Sequence, residues 1–163
     1  MSDSETISVE LGGAKLLLPQ EIVLRALFTK LGIRHSAMPK IGELWHGHGG
    51  IFIGLGRDEN GRCHHLIAAA EEFSGAVWEK QNERAIALNI DGFTDFTLPF
   101  RRDQSLQFAN VPESFKQEWY WSKEQSASGS TYAWAQHFYY GTQNVYLKFI
   151  EFRARAVRRE FIE

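Results

Sequence analysis

Near the start of the chain the apolar positions change period. Ile7, Val9 and Leu11 alternate, Gly12-Gly13 interrupts them, and Lys15 leads into Leu16-Leu17-Leu18. That pattern predicts a strand, a turn and a return strand. Pro19 stands where the first turn of a helix tolerates a missing N–H. Val23, Leu24, Leu27, Phe28 and Leu31 then recur at three- and four-residue spacing, which predicts a helix from Gln20 to Leu31, stopped by Gly32. A polar stretch containing Pro39 follows, so residues 1–41 read as a hairpin-helix appendage and residues 42–163 as the main body.

In the main body the period is mostly that of strands. Leu44, Ile51, Phe52, Ile53 and Leu55 predict a buried strand opened by Gly49-Gly50. Asn60-Gly61 suits a hairpin turn, with His64 to Ala70 as the returning partner. Trp78 to Leu88 predicts a helix ended by Asp91-Gly92, and Arg102 to Phe108 a shorter one. Between them Phe93 to Pro99 reads as extended, with Leu98 kept out of the helical region by Pro99. An extended segment opens at Trp119-Tyr120-Trp121. Tyr132 to Tyr140 and Asn144 to Ile150 predict paired strands across Gly141-Thr142-Gln143, and Phe152 to Val157 predicts a final one. No internal repeat interrupts this order.

Composition and charge change this picture in four ways. The 163 residues carry a net charge of −2, so nothing in the bulk electrostatics calls for nucleic acid or an anionic membrane. The longest apolar run falls far below the roughly 18 residues of a spanning helix, which speaks against membrane insertion. The opening MSDSETIS has neither the basic nor the apolar region of a signal peptide, so classical secretion is not expected. Aromatic residues make up 13%, concentrated in the C-terminal half, enough to fill a β-rich core or coat a recognition surface.

Candidate chemistry is sparse. His46 and His48 lie two apart, and a hairpin would bring His64 and His65 alongside; these four are weak metal candidates, since zinc also needs second-shell acceptors. The single Cys63 excludes an internal disulfide; beside Arg62 it reads as a small buried thiol rather than a nucleophile. The glycines from Gly47 to Gly56 match no phosphate-binding motif, and no cofactor is expected. Asp91, Asp95, Glu113 and Glu118 are scattered carboxylates, with Asp91 and Asp95 flanking a turn. The run Arg153-Ala-Arg155-Ala-Val-Arg158-Arg159 reads as a strand whose guanidinium stems cover aromatic rings and pair with acids such as Glu151 or Glu160, rather than as a site for an anion.

Trp121-Ser122-Lys123-Glu124, Tyr132-Ala133-Trp134, Phe138, Gly141 and Arg155-Ala156-Val157-Arg158, in that order, resemble the closing signature of a bacterial and phage domain family. That family, first catalogued without a function, includes the C-terminal domain of a collagen-like adhesin. Gly49-Gly50-Ile51-Phe52, His64 before Leu66-Ile67-Ala68-Ala69, and Gly92-Phe93-Thr94-Asp95-Phe96-Thr97-Leu98-Pro99 agree in order. The last resembles the family's Asp-Trp-Arg-Leu-Pro, with Phe96 and Thr97 as departures. The likeness spans about residues 42–159.

The resemblance implies an α+β, C-type-lectin-like domain carrying the N-terminal hairpin and helix. It implies a non-enzymatic, phage- or prophage-encoded recognition protein that binds a protein or carbohydrate ligand through loops and is located in the cytoplasm of a host cell or in a virion. The candidate ligand-binding residues are Trp119, Tyr120, Lys123, Gln125, Tyr132, Trp134, His137, Tyr139, Tyr140 and Asn144, although strand alternation must send several of them inward. An intracellular inhibitor of a host defence protein, a histidine-based metalloenzyme and a structural virion subunit are the competing expectations. Residues 1–41 are the candidate surface for homo-oligomerisation.

Overall fold

The computed structural model describes residues 6–11, 13–31 and 38–162. The appendage follows its sequence pattern closely. β1 (Thr6–Leu11) pairs antiparallel with β2 (Ala14–Pro19), and α1 (Gln20–Leu31) follows without a break. Pro19 closes β2 opposite Thr6 instead of opening the helix. The expected stop at Gly32 lies outside the described residues.

The main body is mixed α and β, built on two sheets. β3 (Leu44–Trp45), β4 (Gly50–Arg57) and β5 (Cys63–Ala68) form one sheet with β11 (Val157–Phe161), in the order β11-β5-β4-β3. β6 (Phe73–Ala76), β7 (Trp119–Gln125), β8 (Tyr132–His137), β9 (Gln143–Leu147) and β10 (Phe152–Ala154) form the other, in the order β6-β10-β7-β8-β9. Helices α2 (Trp78–Ile86) and α3 (Arg101–Asn110) lie between the strand groups in sequence. Among the described residues no helix is long and apolar enough to cross a membrane.

The final strand expected over Phe152 to Val157 is two strands in different sheets. β10 pairs with β6 and β7, whereas β11 pairs with β5. Buried Ala154 and Ala156 occupy the crossing, where larger side chains would force the sheets apart. Ala69 N–H donates to the Ala156 carbonyl there (2.9 Å). Phe93 to Pro99 is extended yet forms no strand of its own; it is tied to one sheet by a reciprocal backbone pair between Thr97 and Val157 and to the other by the Lys123 N–H, which donates to the Pro99 carbonyl (2.7 Å). In the β4–β5 pair a register shift falls at Gly54, whose φ of +137° suits glycine alone, and Asn110 Nδ2 reaches the Ile53 carbonyl beside it (2.8 Å).

One core cluster holds Trp78, Phe96, Leu98 and Trp121 over the small Ala133 and Ala135. Both indoles have satisfied N–H groups: Trp78 donates to the Ser122 carbonyl (2.8 Å) and Trp121 to the Ala76 carbonyl (3.2 Å). A second cluster gathers Ile53, Leu66, Phe115, Tyr120, Phe138 and Val157. Buried glutamines tie the helices to the sheet: Gln81 Nε2 bonds the carbonyls of Ser74 and Phe152, and Gln104 Nε2 bonds that of Tyr120.

The arginine run is structural, as its alternation suggests, but with mostly different acids. Arg158 lies over the Phe93 ring and pairs with Asp95, and with Glu160 at 3.7 Å. Arg159 lies over Phe100 and makes a two-pronged contact with Asp103. Arg153 pairs with Glu72 and Glu118. Arg155, buried, donates to the carbonyls of Ala69, Ala70 and Ser114.

Candidate functional site

Four of the ten candidate residues converge at one end of the β7–β8 hairpin. Trp119 and His137 are register partners whose rings meet edge to face at 5.1 Å. After His137 the chain turns tightly: Gly141 N–H bonds the His137 carbonyl (2.8 Å), and His137 N–H bonds the Thr142 carbonyl (2.9 Å). Gly141 holds φ at +72°, and any Cβ there would lie 2.6 Å from the Phe108 ring. Phe138 points inward and stacks on Phe115 at 3.9 Å, which anchors the turn to the core. Tyr139 and Tyr140 point outward, 55% and 70% exposed, edge to face at 4.7 Å. Tyr140 also meets the His137 ring at 5.1 Å.

Beside these rings runs a shallow cleft of about 290 Å³, lined by Trp119, His137, Phe152, Glu118 and Arg153 among others. Arg153 Nε donates to Glu118 Oε2 (2.9 Å) on its rim. Apolar ring edges thus adjoin fixed charged donors and acceptors, a combination suited to a ligand with both apolar and hydroxyl or carboxylate surface. Phe152, Arg153 and Glu118 had no place among the binding candidates. The opposition of Trp119 to His137 across a hairpin, with Arg153 one strand away, is the signal that would have located them.

The other candidates separate. Tyr120 is a correction: it is buried in the core, donating its hydroxyl to Glu72 and accepting the Lys116 N–H (3.0 Å). Burial, and then the carboxylate of Glu72, push its phenol well above the ordinary tyrosine range. Gln125 and Tyr132 lie at the opposite end of the same hairpin, where Gln125 Oε1 accepts from Lys148 (2.7 Å). Lys123 stands over the Phe100 ring, and Asn144 Oδ1 accepts the following Val145 N–H (2.8 Å). Trp134 is half-buried beneath the Arg101 guanidinium, 3.5 Å from its ring centre.

The histidines split between two faces of β5, because neighbouring strand residues point oppositely. His65 joins His48 beside Glu160, with His48 Nδ1 3.0 Å and His65 Nδ1 3.9 Å from the same carboxylate oxygen. Trp45 stacks flat on His48 at 4.0 Å and meets His65 edge-on. His64 is fully buried on the other face, 3.9 Å from Asp103 and against the Phe161 ring. Burial, followed by the nearby Arg159 charge, holds its imidazole below the ordinary range. His46 lines a separate cavity. Among the described residues no group of three or more His, Cys, Asp or Glu side chains is placed to hold a metal ion. Cys63 is exposed, contrary to the buried thiol expected from its place at a strand start.

No model of a known protein family matches this chain, and no curated protein matches it.

Proposed function

We propose that the protein is a non-enzymatic recognition module on a C-type-lectin-like frame, which binds a protein or carbohydrate ligand through Trp119, His137, Tyr139 and Tyr140. The observation that carries this reading is the pair of exposed tyrosines, held rigidly by an anchored turn beside a cleft. Exposed large rings offer much contact area at little cost in conformational entropy, which is why tyrosine is enriched where partners bind. The resemblance supports the frame: Trp121, Leu98 and Arg155, which carry it, are all buried. It also brings the expectation of a phage or prophage origin.

The test is capture by the purified protein and by a Tyr139→Ser/Tyr140→Ser variant, against whole bacterial cells, a glycan array and host lysate. Saturable binding lost in the variant supports the reading, and the arm in which it occurs identifies the ligand class. Binding that survives the double substitution removes the face from consideration.

A second reading, an intracellular inhibitor that grips a host protein, is favoured by one observation. Leu16, Leu17, Ile22 and Leu27 of the appendage are between 46% and 70% exposed. Apolar side chains left exposed on β2 and α1 suit burial against another chain, a host protein or a second copy.

A further inference from the structure

A cavity of about 350 Å³ opens where the start of β4, the β5–β6 connection and the segment after α2 meet. Its size is at the lower end of the ~300–1,000 Å³ range of small-molecule pockets. Gly49, Gly50, Ala69 and Ala70, none with a side chain longer than a methyl, form part of its lining. Leu44, Phe73, Leu88 and Ile90 give it apolar walls.

Its polar groups are of one sign. Glu71, Glu72 and Asp91 line it, with His46 but no lysine or arginine. Glu72 is already compensated, by Arg153 at 3.1 Å and Arg155 at 3.6 Å. Asp91 is held in place by accepting the Gly49 N–H (3.2 Å), a contact that leaves its charge uncompensated. Among the described residues neither Asp91 nor Glu71 has a cationic partner.

We propose that this cavity is a second binding site, for a small hydrophobic amine whose aromatic or branched body fills the apolar walls while its ammonium group meets Glu71 and Asp91. The charge complementarity selects a cation, since an anion would face two unbalanced carboxylates and a neutral ligand would gain nothing from them. The site does not depend on the Tyr139–Tyr140 face.

Ligand-observed NMR with phenethylamine, 2-phenylethanol and phenylacetate as probes tests it. Phenethylamine should bind saturably in the millimolar range or tighter, and more tightly than 2-phenylethanol by roughly three- to tenfold, the scale of two exposed ion pairs. Phenylacetate should bind weakest. Glu71→Gln/Asp91→Asn removes both charges, while the introduced amide oxygen still accepts the Gly49 N–H, and should bring the amine down to the level of the alcohol. Ala70→Trp, placed at an exposed position of the wall, should abolish binding of both without lowering thermal stability. Amine and alcohol binding equally, undiminished affinity in the charge variant, persistence after Ala70→Trp, or no saturable amine binding up to about 10 mM would each overturn the proposal.

Discussion

Replacing Arg155 with Met removes a cation from the most demanding position in the main body. The side chain is 6% exposed. Its guanidinium donates to three carbonyls at 2.9, 2.7 and 2.8 Å, those of Ala69, Ala70 and Ser114. It also lies over the Phe115 ring and 3.6 Å from Glu72. Met keeps the apolar stem but leaves three acceptors without a donor and removes one of the two cations beside Glu72. Hydrogen bonds to a charged group contribute about 1.5–3 kcal/mol each. Against that sum stands the cost of burying the guanidinium, which also pulls its proton affinity below the ordinary range. Truncating one member of a buried charged network typically destabilises by about 3–5 kcal/mol. At about 2–4 °C per kcal/mol for a chain of this length, Tm should fall by roughly 6–20 °C. Arg155→Lys should recover less than half of the loss, since an ammonium cannot reproduce the planar fork. Thermal unfolding by circular dichroism reads both variants. A Tm within about 2 °C of the parent for Arg155→Met would refute the structural assignment of the arginine run and revive the alternative of an anion site.

Three further outcomes are expected. Because the folded-state pKa of His64 is depressed by burial, the unfolded chain takes up its proton first as pH falls. Stability should therefore drop as pH decreases below about 6.5, with a limiting slope of about 1.4 kcal/mol per pH unit; His64→Gln should flatten urea-unfolding stabilities across that window, and an unchanged slope would count against the assignment. Gly56→Ala sets a Cβ 2.6 Å from His64 Nε2, so the ring or the strand must move, at a cost of about 1–3 kcal/mol in the same urea titration; a loss under about 0.5 kcal/mol would mean that the ring yields freely. Trp134→Ala, which family resemblance alone would mark as unfolding the domain, should leave a folded protein. The indole is only half-buried and its Arg101 contact is of a kind that contributes about 0.5–2 kcal/mol, so a cooperative transition should survive, and its disappearance would refute this.

Local period and turn chemistry made much of this architecture legible. The β1–β2 hairpin, α1, the Asn60-Gly61 turn, α2 and the β8–β9 pair all appear where alternation or helical spacing predicts them. Long-range pairing was not legible in the same way. Phe152 to Ala156 alternates apolar and charged positions and, with Val157, reads as one strand, yet the segment divides between two sheets at Ala154–Ala156, because partners distant in the chain decide where each half pairs. β6 was missed because Phe73–Ala76 is short and carries Ser and Gly at its centre. The candidate site was legible in part. Tyr139 and Tyr140 read as the end of a strand over Tyr132 to Tyr140, whereas β8 stops at His137 and leaves both in the exposed turn; nothing local separates Tyr120, which closes the core against Phe115 and Phe138, from a surface ring. The separation of His64 from His65 follows from strand geometry alone and makes a four-histidine cluster impossible for a straight strand.

Recognition through the aromatic face is tested most directly by a dissociation constant. Once a ligand has been captured, its affinity should be measured for the parent and for Tyr139→Ser/Tyr140→Ser, beside a thermal melt of each. The expected result is an affinity loss of at least about 30-fold, the scale of a binding hot spot, with melting unchanged because both side chains are exposed. Equal affinities in two equally folded proteins would contradict it.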